Sequence, residues 1–201
     1  MGLFADEDTY NDEILAAAVA TKIPVSSLKG IMAMESQFDP NAYRDEPDIQ
    51  DGSRGLMQIL YKTAKGVGFD GDPDDLFDPA TGALFGAKFF AQLVARYPNY
   101  LDAVASYNMG SPRAAGNTTP TIVGIYGQPG PDWTYANQPY VDRVAAYTAY
   151  YQAVENNDAA KAATVLDLIK KKIIRRAALS LEPPLSGRTP LFNNPPSGWE
   201  V

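Results

Sequence analysis

A single glutamate, Glu35, follows a run of apolar residues at 31–34 and stands just before a polar stretch. Apolar neighbours remove water from a carboxylate, which disfavours its charged form and raises its pKa. A carboxyl whose pKa lies near neutrality can give a proton to a reacting group and take one back, which is general acid–base catalysis. A glutamate at a helix end is also a common surface or capping residue, so Glu35 alone leaves both interpretations open.

The composition limits the chemistry that can accompany Glu35. The 201-residue chain contains no cysteine and no histidine, which excludes Ser-His-Asp and Cys-His catalysis, zinc sites built on thiolate or imidazole, and iron–sulfur clusters. Its 17 basic and 24 acidic residues give a net charge of −7, which argues against general nucleic-acid binding. A chain that is 45% hydrophobic and 20% charged is globular in composition.

Three further segments, at 53–60, 105–110 and 139–144, combine polar side chains with glycine or apolar neighbours. Glycine lets backbone approach a ligand closely, and amides and phenols both donate and accept hydrogen bonds, which suits sugar recognition. Helix caps and core tyrosines would give the same patterns, so each segment alone is a weak signal. The side chains of interest are those of Met57, Gln58, Tyr107, Asn108 and Tyr140.

Helices must position these residues, because apolar side chains recur at helical spacing over much of the chain. Turn residues fill 37–54 and 66–78, and 113–137 is a long loop rich in Gly, Pro and Thr. Pro79 suits the first turn of a long helix. No alternation typical of a parallel sheet is present, so the sequence predicts a mainly α fold. The expected helices cover 8–21, 26–36, 55–65, 79–97, 101–109 and 139–154.

The C-terminal part of the chain differs in charge. Residues 1–157 carry ten basic and twenty acidic side chains, whereas residues 158–201 carry seven and four. We expect a helix over 159–179 with one apolar side, followed by an extended, proline-rich tail at 182–201. The basic face of this helix is either solvated, with the helix packed on the core, or in contact with an anionic envelope or a protein partner. That face comprises Lys170, Lys171, Lys172, Arg175 and Arg176.

Four short motifs, taken in order, resemble those of the lytic transglycosylases with a soluble-lytic-transglycosylase (SLT) catalytic domain, which are goose-type-lysozyme-like muramidases. The motifs are Glu-Ser, Gly-Leu-Met-Gln-Ile, Ala-Ser-Tyr-Asn-x-Gly and Tyr-Val-x-x-Val, and the resemblance covers about 12–154. It implies a mainly α, lysozyme-like domain over 1–157 with a substrate groove between lobes. A C-terminal basic helix and extended tail would follow at 158–201.

The resemblance implies a role for each matched residue. Glu35 corresponds to the single catalytic glutamate of the family. One feature departs from the pattern: family members commonly carry a glutamate a few residues before the final Tyr-Val, and 136–139 contains none. The residues that the resemblance assigns to substrate binding are Ser36, Met57, Gln58, Tyr107, Asn108 and Tyr140.

The resemblance also implies a reaction. Glu35 would act first as acid and then as base, cutting the β-1,4 bond from N-acetylmuramic acid (MurNAc) to N-acetylglucosamine (GlcNAc) and closing a 1,6-anhydro ring without water, metal or organic cofactor. One alternative is a hydrolytic, goose-type-lysozyme-like muramidase, which needs a further carboxylate such as Asp45, Asp48 or Asp51 to position water. The other is a non-catalytic glycan-binding or structural virion protein on the same fold.

Targeting signals are not evident in the sequence. The N-terminal residues lack the basic start of a secretory signal, and the apolar run at 14–20 is too short to span a bilayer. We therefore expect no conventional signal peptide and no membrane span. The resemblance implies peptidoglycan glycan strands as the partner, at the bacterial cell wall in the periplasm or outside the cell. Both a phage-encoded, virion-associated enzyme and an exported bacterial enzyme fit this expectation.

Overall fold

The computed structural model describes residues 2–97, 99–112 and 135–181, and these residues are mainly α-helical. The five longer helices predicted within 8–154 are present, and their bounds agree with the prediction to within three residues. The helices and strands of the described residues are α1 (Asn11–Thr21), α2 (Val25–Glu35), β1 (Tyr43–Glu46), β2 (Asp51–Arg54), β3 (Ile59–Leu60), α3 (Tyr61–Gly66), α4 (Pro79–Arg96), α5 (Tyr100–Met109), α6 (Gln138–Glu155), α7 (Ala159–Lys170) and α8 (Ile174–Ala178).

Helix α2 is the most deeply buried of the helices around the site and packs closely on α6. Leu28, Ile31 and Met32 of α2 are each 0% exposed. Gly30 allows the two backbones to approach, because a Cβ atom there would lie 2.1 Å from Thr148 Oγ1 and 3.0 Å from the Thr148 amide nitrogen. The helices run antiparallel, so the C-terminal end of α2 lies beside the N-terminal end of α6.

A small antiparallel sheet replaces the loop that the sequence predicts at 37–54. Strands β1 and β2 form a hairpin in which Tyr43 pairs with Arg54, and β3 pairs with β2. The loop prediction was wrong here because β1 is exposed and polar and lacks the alternating apolar residues that mark a half-buried strand. The helix predicted over 55–65 was also wrong at its start: it begins at Tyr61, after β3.

Helix α4 begins where the sequence predicts. Pro79 stands in its first turn, and Asp78 Oδ1 accepts a 2.9 Å hydrogen bond from the Thr81 amide, which caps the helix. The helix contributes Ala83 and Phe90, both 0% exposed, to the main core. Small residues on one side of α4 let the segment before β3 pack directly against it.

The helix expected over 159–179 is two helices, α7 and α8. The chain turns between them because Lys172 adopts a left-handed conformation with φ 60°. Val165 of α7 and Ala177 of α8 are 1% and 0% exposed and belong to the same core as α2 and α6. Part of the basic face is paired within the chain, since Lys171 contacts Asp167 and Arg175 contacts Asp142.

Two predicted features, the tail at 182–201 and most of the loop at 113–137, lie outside the described residues. Among the residues that the structure describes, no helix combines the length and the apolar composition that crossing a bilayer requires.

Candidate active site

The C-terminal end of α2 and the first turn of α6 meet at Glu35 and Tyr140. The Tyr140 hydroxyl donates a 2.6 Å hydrogen bond to Glu35 Oε1. Tyr140 is 8% exposed, whereas Glu35 is partly exposed, so the carboxyl is held from the protein side and open on the other. This is the position that a proton donor to an external molecule requires.

The surroundings of Glu35 shift its acidity towards neutrality. Burial raises the pKa of the Glu35 carboxyl from 4.5 to about 7, because removal from water disfavours the charged form. The Tyr140 hydrogen bond and the positive charge of Arg44 favour the carboxylate and offset part of this rise. The sequence predicts the direction of the shift, and the structure confirms it.

Ser36 fixes the end of α2 against the segment that precedes β3. Its hydroxyl donates a 2.7 Å hydrogen bond to the Leu56 carbonyl and accepts one of 3.1 Å from the Phe38 amide. Ser36 was predicted as a substrate contact. In the structure, its hydroxyl joins two parts of the protein that flank Glu35.

Segment 55–58 lies beside the end of α2, where the Leu56 carbonyl accepts from the Ser36 hydroxyl, and forms one wall of the candidate site. Gly55 has a φ of 71°, and a Cβ atom there would lie 2.3 Å from the Leu76 carbonyl oxygen, so only glycine fits. Met57 is 0% exposed, and Gly86 of α4 makes room for it, since a Cβ atom at Gly86 would lie 2.5 Å from Met57 Cβ. The Met57 side chain therefore belongs to the core.

The Gln58 side chain is hydrogen-bonded within the protein. Its Nε2 donates to the carbonyls of Ala42 at 2.7 Å and Gly55 at 3.1 Å, and its Oε1 accepts from Ser53 Oγ at 3.3 Å. Gln58 itself has a left-handed backbone with φ 46°. The amide thus joins the hairpin to segment 55–58 and holds a backbone conformation that is costly for a non-glycine residue.

Tyr107 of α5 is hydrogen-bonded to the same wall. Its hydroxyl donates a 2.8 Å hydrogen bond to the Met57 carbonyl, and its ring packs 5.3 Å from the ring of Phe89, centroid to centroid. Burial and the negative charge of Glu35 raise the pKa of the Tyr107 phenol well above its ordinary value. Glu35 therefore interacts electrostatically with Tyr107, although the hydrogen bond to Glu35 comes from Tyr140.

Asn108 is exposed at the end of α5. Its Oδ1 accepts a 3.0 Å hydrogen bond from Asn137 Nδ2, which also donates to the Ala105 carbonyl at 3.1 Å. Asn137 thereby joins α5 to the turn that begins α6. Of the seven predicted site residues, Asn108 presents the most exposed side chain.

Two residues that the sequence analysis does not single out belong to this region. Arg44 on β1 acts on the charge of Glu35, and Asn137 bridges α5 and α6. Arg44 lies in a stretch that reads as a polar loop, and Asn137 in a polar run before Pro139, so neither gives a local signal. Within residues 2–97, 99–112 and 135–181, no three acidic side chains are grouped as a metal ion would require.

Comparisons of the chain with known proteins indicate its family. A family model of the Transglycosylase SLT domain matches residues 12–118. A Haemophilus influenzae protein assigned as a soluble lytic murein transglycosylase is 29% identical over an alignment of 164 residues that covers 75% of this chain and 26% of that protein.

Solved structures share the fold. The lytic transglycosylase Slt of Pseudomonas aeruginosa, an inactive mutant, matches with a TM-score of 0.57 at 22% identity over 74% of this chain and 25% of its own. The 70 kDa soluble lytic transglycosylase SLT70 of Escherichia coli matches with a TM-score of 0.55 at 24% identity over 73% of this chain and 24% of its own.

The chain spans about a quarter of the length of these proteins. The likeness to their structures confirms the mainly α, lysozyme-like fold that the motifs imply. The match of the family model covers more than half of the 201 residues. The chain belongs to the Transglycosylase SLT domain family.

Proposed function

We propose that this chain is a peptidoglycan lytic transglycosylase that cleaves the MurNAc-β-1,4-GlcNAc bond and leaves 1,6-anhydroMurNAc ends. The observation that carries the proposal is Glu35, a partly exposed carboxyl with a pKa of about 7 that is held by Tyr140. The names of the similar proteins, which refer to lytic transglycosylases, support the substrate class. The activity would be exerted at the bacterial cell wall, where that polymer lies.

In the first step Glu35 acts as a general acid. At neutral pH both the protonated and the charged form of Glu35 are populated, because its pKa is about 7. Glu35 gives this proton to the glycosidic oxygen as the bond from MurNAc C1 to that oxygen breaks, and GlcNAc leaves with a free hydroxyl. The substrate's own N-acetyl group stabilises the positive charge that develops at C1.

In the second step the same carboxyl acts as a base. The Glu35 carboxylate takes the proton from the C6 hydroxyl of MurNAc, and O6 forms a bond to C1. This closes the anhydro ring and returns Glu35 to its protonated form, so no water is consumed. Tyr140 stabilises the carboxylate between the two steps, since a hydrogen bond to the charged form favours that form.

The other matched residues would shape the cleft around this carboxyl. Tyr107 fixes the Met57 backbone through its 2.8 Å hydrogen bond, and Ser36 fixes the Leu56 backbone. Gln58 holds the left-handed turn of the same wall. Asn108, whose side chain is exposed, would contact the sugar directly.

A hydrolytic muramidase needs a second carboxylate to position water. Of the candidates, Asp51 already accepts hydrogen bonds from the backbone amides of Gly52 at 2.7 Å, Tyr61 at 3.2 Å and Lys62 at 2.9 Å. The engaged carboxylate of Asp51 supports the non-hydrolytic reaction. Asp45 and Asp48 are exposed on the hairpin and its turn, so hydrolysis through either is an outcome that the product analysis distinguishes.

The test is incubation of the chain with purified peptidoglycan, followed by mass spectrometry of the soluble products. We expect anhydro ends, which are about 18 Da (one water) lighter than the reducing ends of hydrolysis. Glu35→Gln should abolish cleavage while retaining chitooligosaccharide or muropeptide binding, and Glu155→Gln, at an exposed position, should cleave like wild type. Reducing ends would identify a hydrolase, and binding without cleavage by wild type would identify a non-catalytic protein.

A further inference from the structure

The turn that begins α6 is attached to α5 by a buried carboxylate. Asp102 of α5 is 0% exposed, and its Oδ1 accepts a 2.7 Å hydrogen bond from the Tyr135 hydroxyl. Tyr135 itself is 8% exposed, and its backbone amide donates to Gln138 Oε1 at 2.8 Å. Tyr135 thus joins the interior of α5 to the first residue of α6.

A buried carboxylate with an unpaired oxygen lowers the stability of the fold. Asp102 Oδ2 has no hydrogen-bond partner among the described residues, and burial raises the pKa of Asp102 from 3.8 to about 6. A buried polar atom without a partner lowers stability, so an unpaired oxygen in a native structure requires an explanation. No role for Asp102 follows from the proposed reaction, because its hydrogen bonds to side chains within the described residues join it to Tyr135 and Ser106 and not to Glu35.

The turn held by Asp102 determines where Tyr140 lies. From Tyr135 to Tyr140 the chain makes a turn and the first turn of α6, in which the Tyr140 amide donates to the Asn137 carbonyl at 2.9 Å. Asn137 in turn donates to the Ala105 carbonyl. A shift of this turn relative to α5 would therefore move the Tyr140 hydroxyl away from Glu35.

We propose that Asp102 and Tyr135 are positioning residues that hold the Tyr140 hydroxyl on Glu35. Their effect on the reaction rests on the proposed function, whereas their effect on Glu35 itself does not. The Tyr140 hydrogen bond favours the Glu35 carboxylate, so releasing Tyr140 makes Glu35 a weaker acid and leaves its carboxylate less well supported.

The test measures the ionisation of Glu35 without substrate, by NMR titration of chains with carboxyl-¹³C-labelled glutamate, with the Glu35 signal assigned from Glu35→Gln. Tyr135→Phe removes the hydroxyl that binds Asp102 and leaves the ring. We expect it to raise the pKa of Glu35 by about half a pH unit or more, in the same direction as Tyr140→Phe. In a Tyr140→Phe background, Tyr135→Phe should add nothing, because the two act through one hydrogen bond.

A matched control is Tyr151→Phe. The Tyr151 hydroxyl donates to Glu7 Oε2 at 3.0 Å, which is the same kind of tyrosine–carboxylate pair on α6, eleven positions beyond Tyr140. This variant should leave the pKa of Glu35 unchanged even where it lowers the free energy of unfolding. Asp102→Asn keeps the size of the side chain and an oxygen that can accept from the Tyr135 hydroxyl, so it should change the pKa of Glu35 by less than Tyr135→Phe does.

The outcomes separate this proposal from the proposed function. An unchanged pKa of Glu35 in Tyr135→Phe, or an equal rise with and without Tyr140, would overturn the positioning role. Absence of cleavage by wild type would overturn the proposed function and leave the titration result intact. If wild type cleaves peptidoglycan, Tyr135→Phe should lower kcat by roughly 10-fold or more with KM nearly unchanged, since contacts with the sugar are retained.

Discussion

The hydroxyl of Tyr140 donates a 2.6 Å hydrogen bond to Glu35 Oε1 across 105 positions of the sequence. Burial raises the pKa of Glu35, and this hydrogen bond and the charge of Arg44 oppose the rise, so that the pKa is about 7. A group near neutrality can act both as acid and as base at the same pH. The packing of α2 on α6 produces this balance.

Replacing Tyr140 by Phe should shift the pH dependence of cleavage, because it removes this hydrogen bond. Under the proposed reaction the acid form of Glu35 in the free protein is the active one, so kcat/KM of wild type should fall as the pH rises above about 7. Tyr140→Phe removes a donor to the charged form, which raises the pKa of Glu35 and moves this fall to higher pH, while the maximal rate decreases. A fall that stays at the wild-type pH would contradict the assignment of Glu35 as the acid.

Glu35→Gln should stabilise the fold, and by more at higher pH. The carboxyl pKa is 4.5 in its ordinary state and about 7 in the folded chain, so between these values the folded chain retains a proton that the unfolded chain has lost. The contribution of Glu35 to stability is therefore present below pH 4.5 and lost as the pH rises through 7. Glutamine does not titrate, so the variant keeps its stability as the pH rises. The difference in unfolding free energy between the two chains should therefore grow by up to about 3 kcal/mol between pH 4.5 and about 7.

Urea denaturation of wild type and Glu35→Gln at several pH values from 4 to 8 measures this difference. Asp102, which also titrates with a raised pKa, is present in both chains and cancels in the comparison. A difference that is constant with pH would show that Glu35 has an ordinary pKa in the folded chain.

Gly30→Ala tests the close approach of α2 and α6. The added methyl would meet the Thr148 side chain and backbone nitrogen, and the backbone cannot move aside as a flexible side chain can. We expect a loss of about 1–3 kcal/mol of unfolding free energy, with slower cleavage because Glu35 and Tyr140 separate. Gly66→Ala is the control, since a Cβ atom there meets nothing within 4 Å; equal losses in both variants would refute the explanation.

Val165→Ala tests whether α7 is part of the core that supports the site. Val165 is 1% exposed, and removal of two buried methyl groups should lower the free energy of unfolding by about 1–3 kcal/mol in a single cooperative transition. Leu179→Ala, at a residue that is 73% exposed, should change it by less than about 0.5 kcal/mol. A separate early transition in Val165→Ala would indicate that α7 unfolds independently.

The prediction from sequence was accurate for elements whose signals are local. The first turn of α4 follows from Asp78 and Pro79, which act within a few residues. The hairpin at 43–54 was missed because its strands are short and polar, and their pairing depends on contacts such as that of Gln58 Nε2 with the Ala42 carbonyl. The break at Lys172 was missed because apolar spacing continues through it.

Contact of the basic helix with a protein partner, which the sequence left open as an alternative, stays a prediction, and so does the division of the chain at 157. Packing of α8 on α6 pairs Arg175 with Asp142, and Lys171 pairs with Asp167 one turn earlier in the chain. Which basic side chains stay available depends on contacts between distant elements, such as that of Arg175 with Asp142, and the charge pattern of the sequence does not show these contacts.

The sequence by itself determined the kinds of chemistry open to this protein. Without cysteine or histidine, catalysis has to use Asp, Glu, Tyr, Lys, Ser or a hard metal ion, and the apolar run before Glu35 indicates a desolvated carboxyl. The tertiary structure alone decided which tyrosine binds that carboxyl: Tyr140 donates to Glu35, whereas Tyr107 donates to the Met57 backbone. Both tyrosines lie in motifs that fit a role in the site, but a hydrogen bond requires donor and acceptor atoms within about 3 Å. That distance is set by Gly30, which brings α2 onto α6.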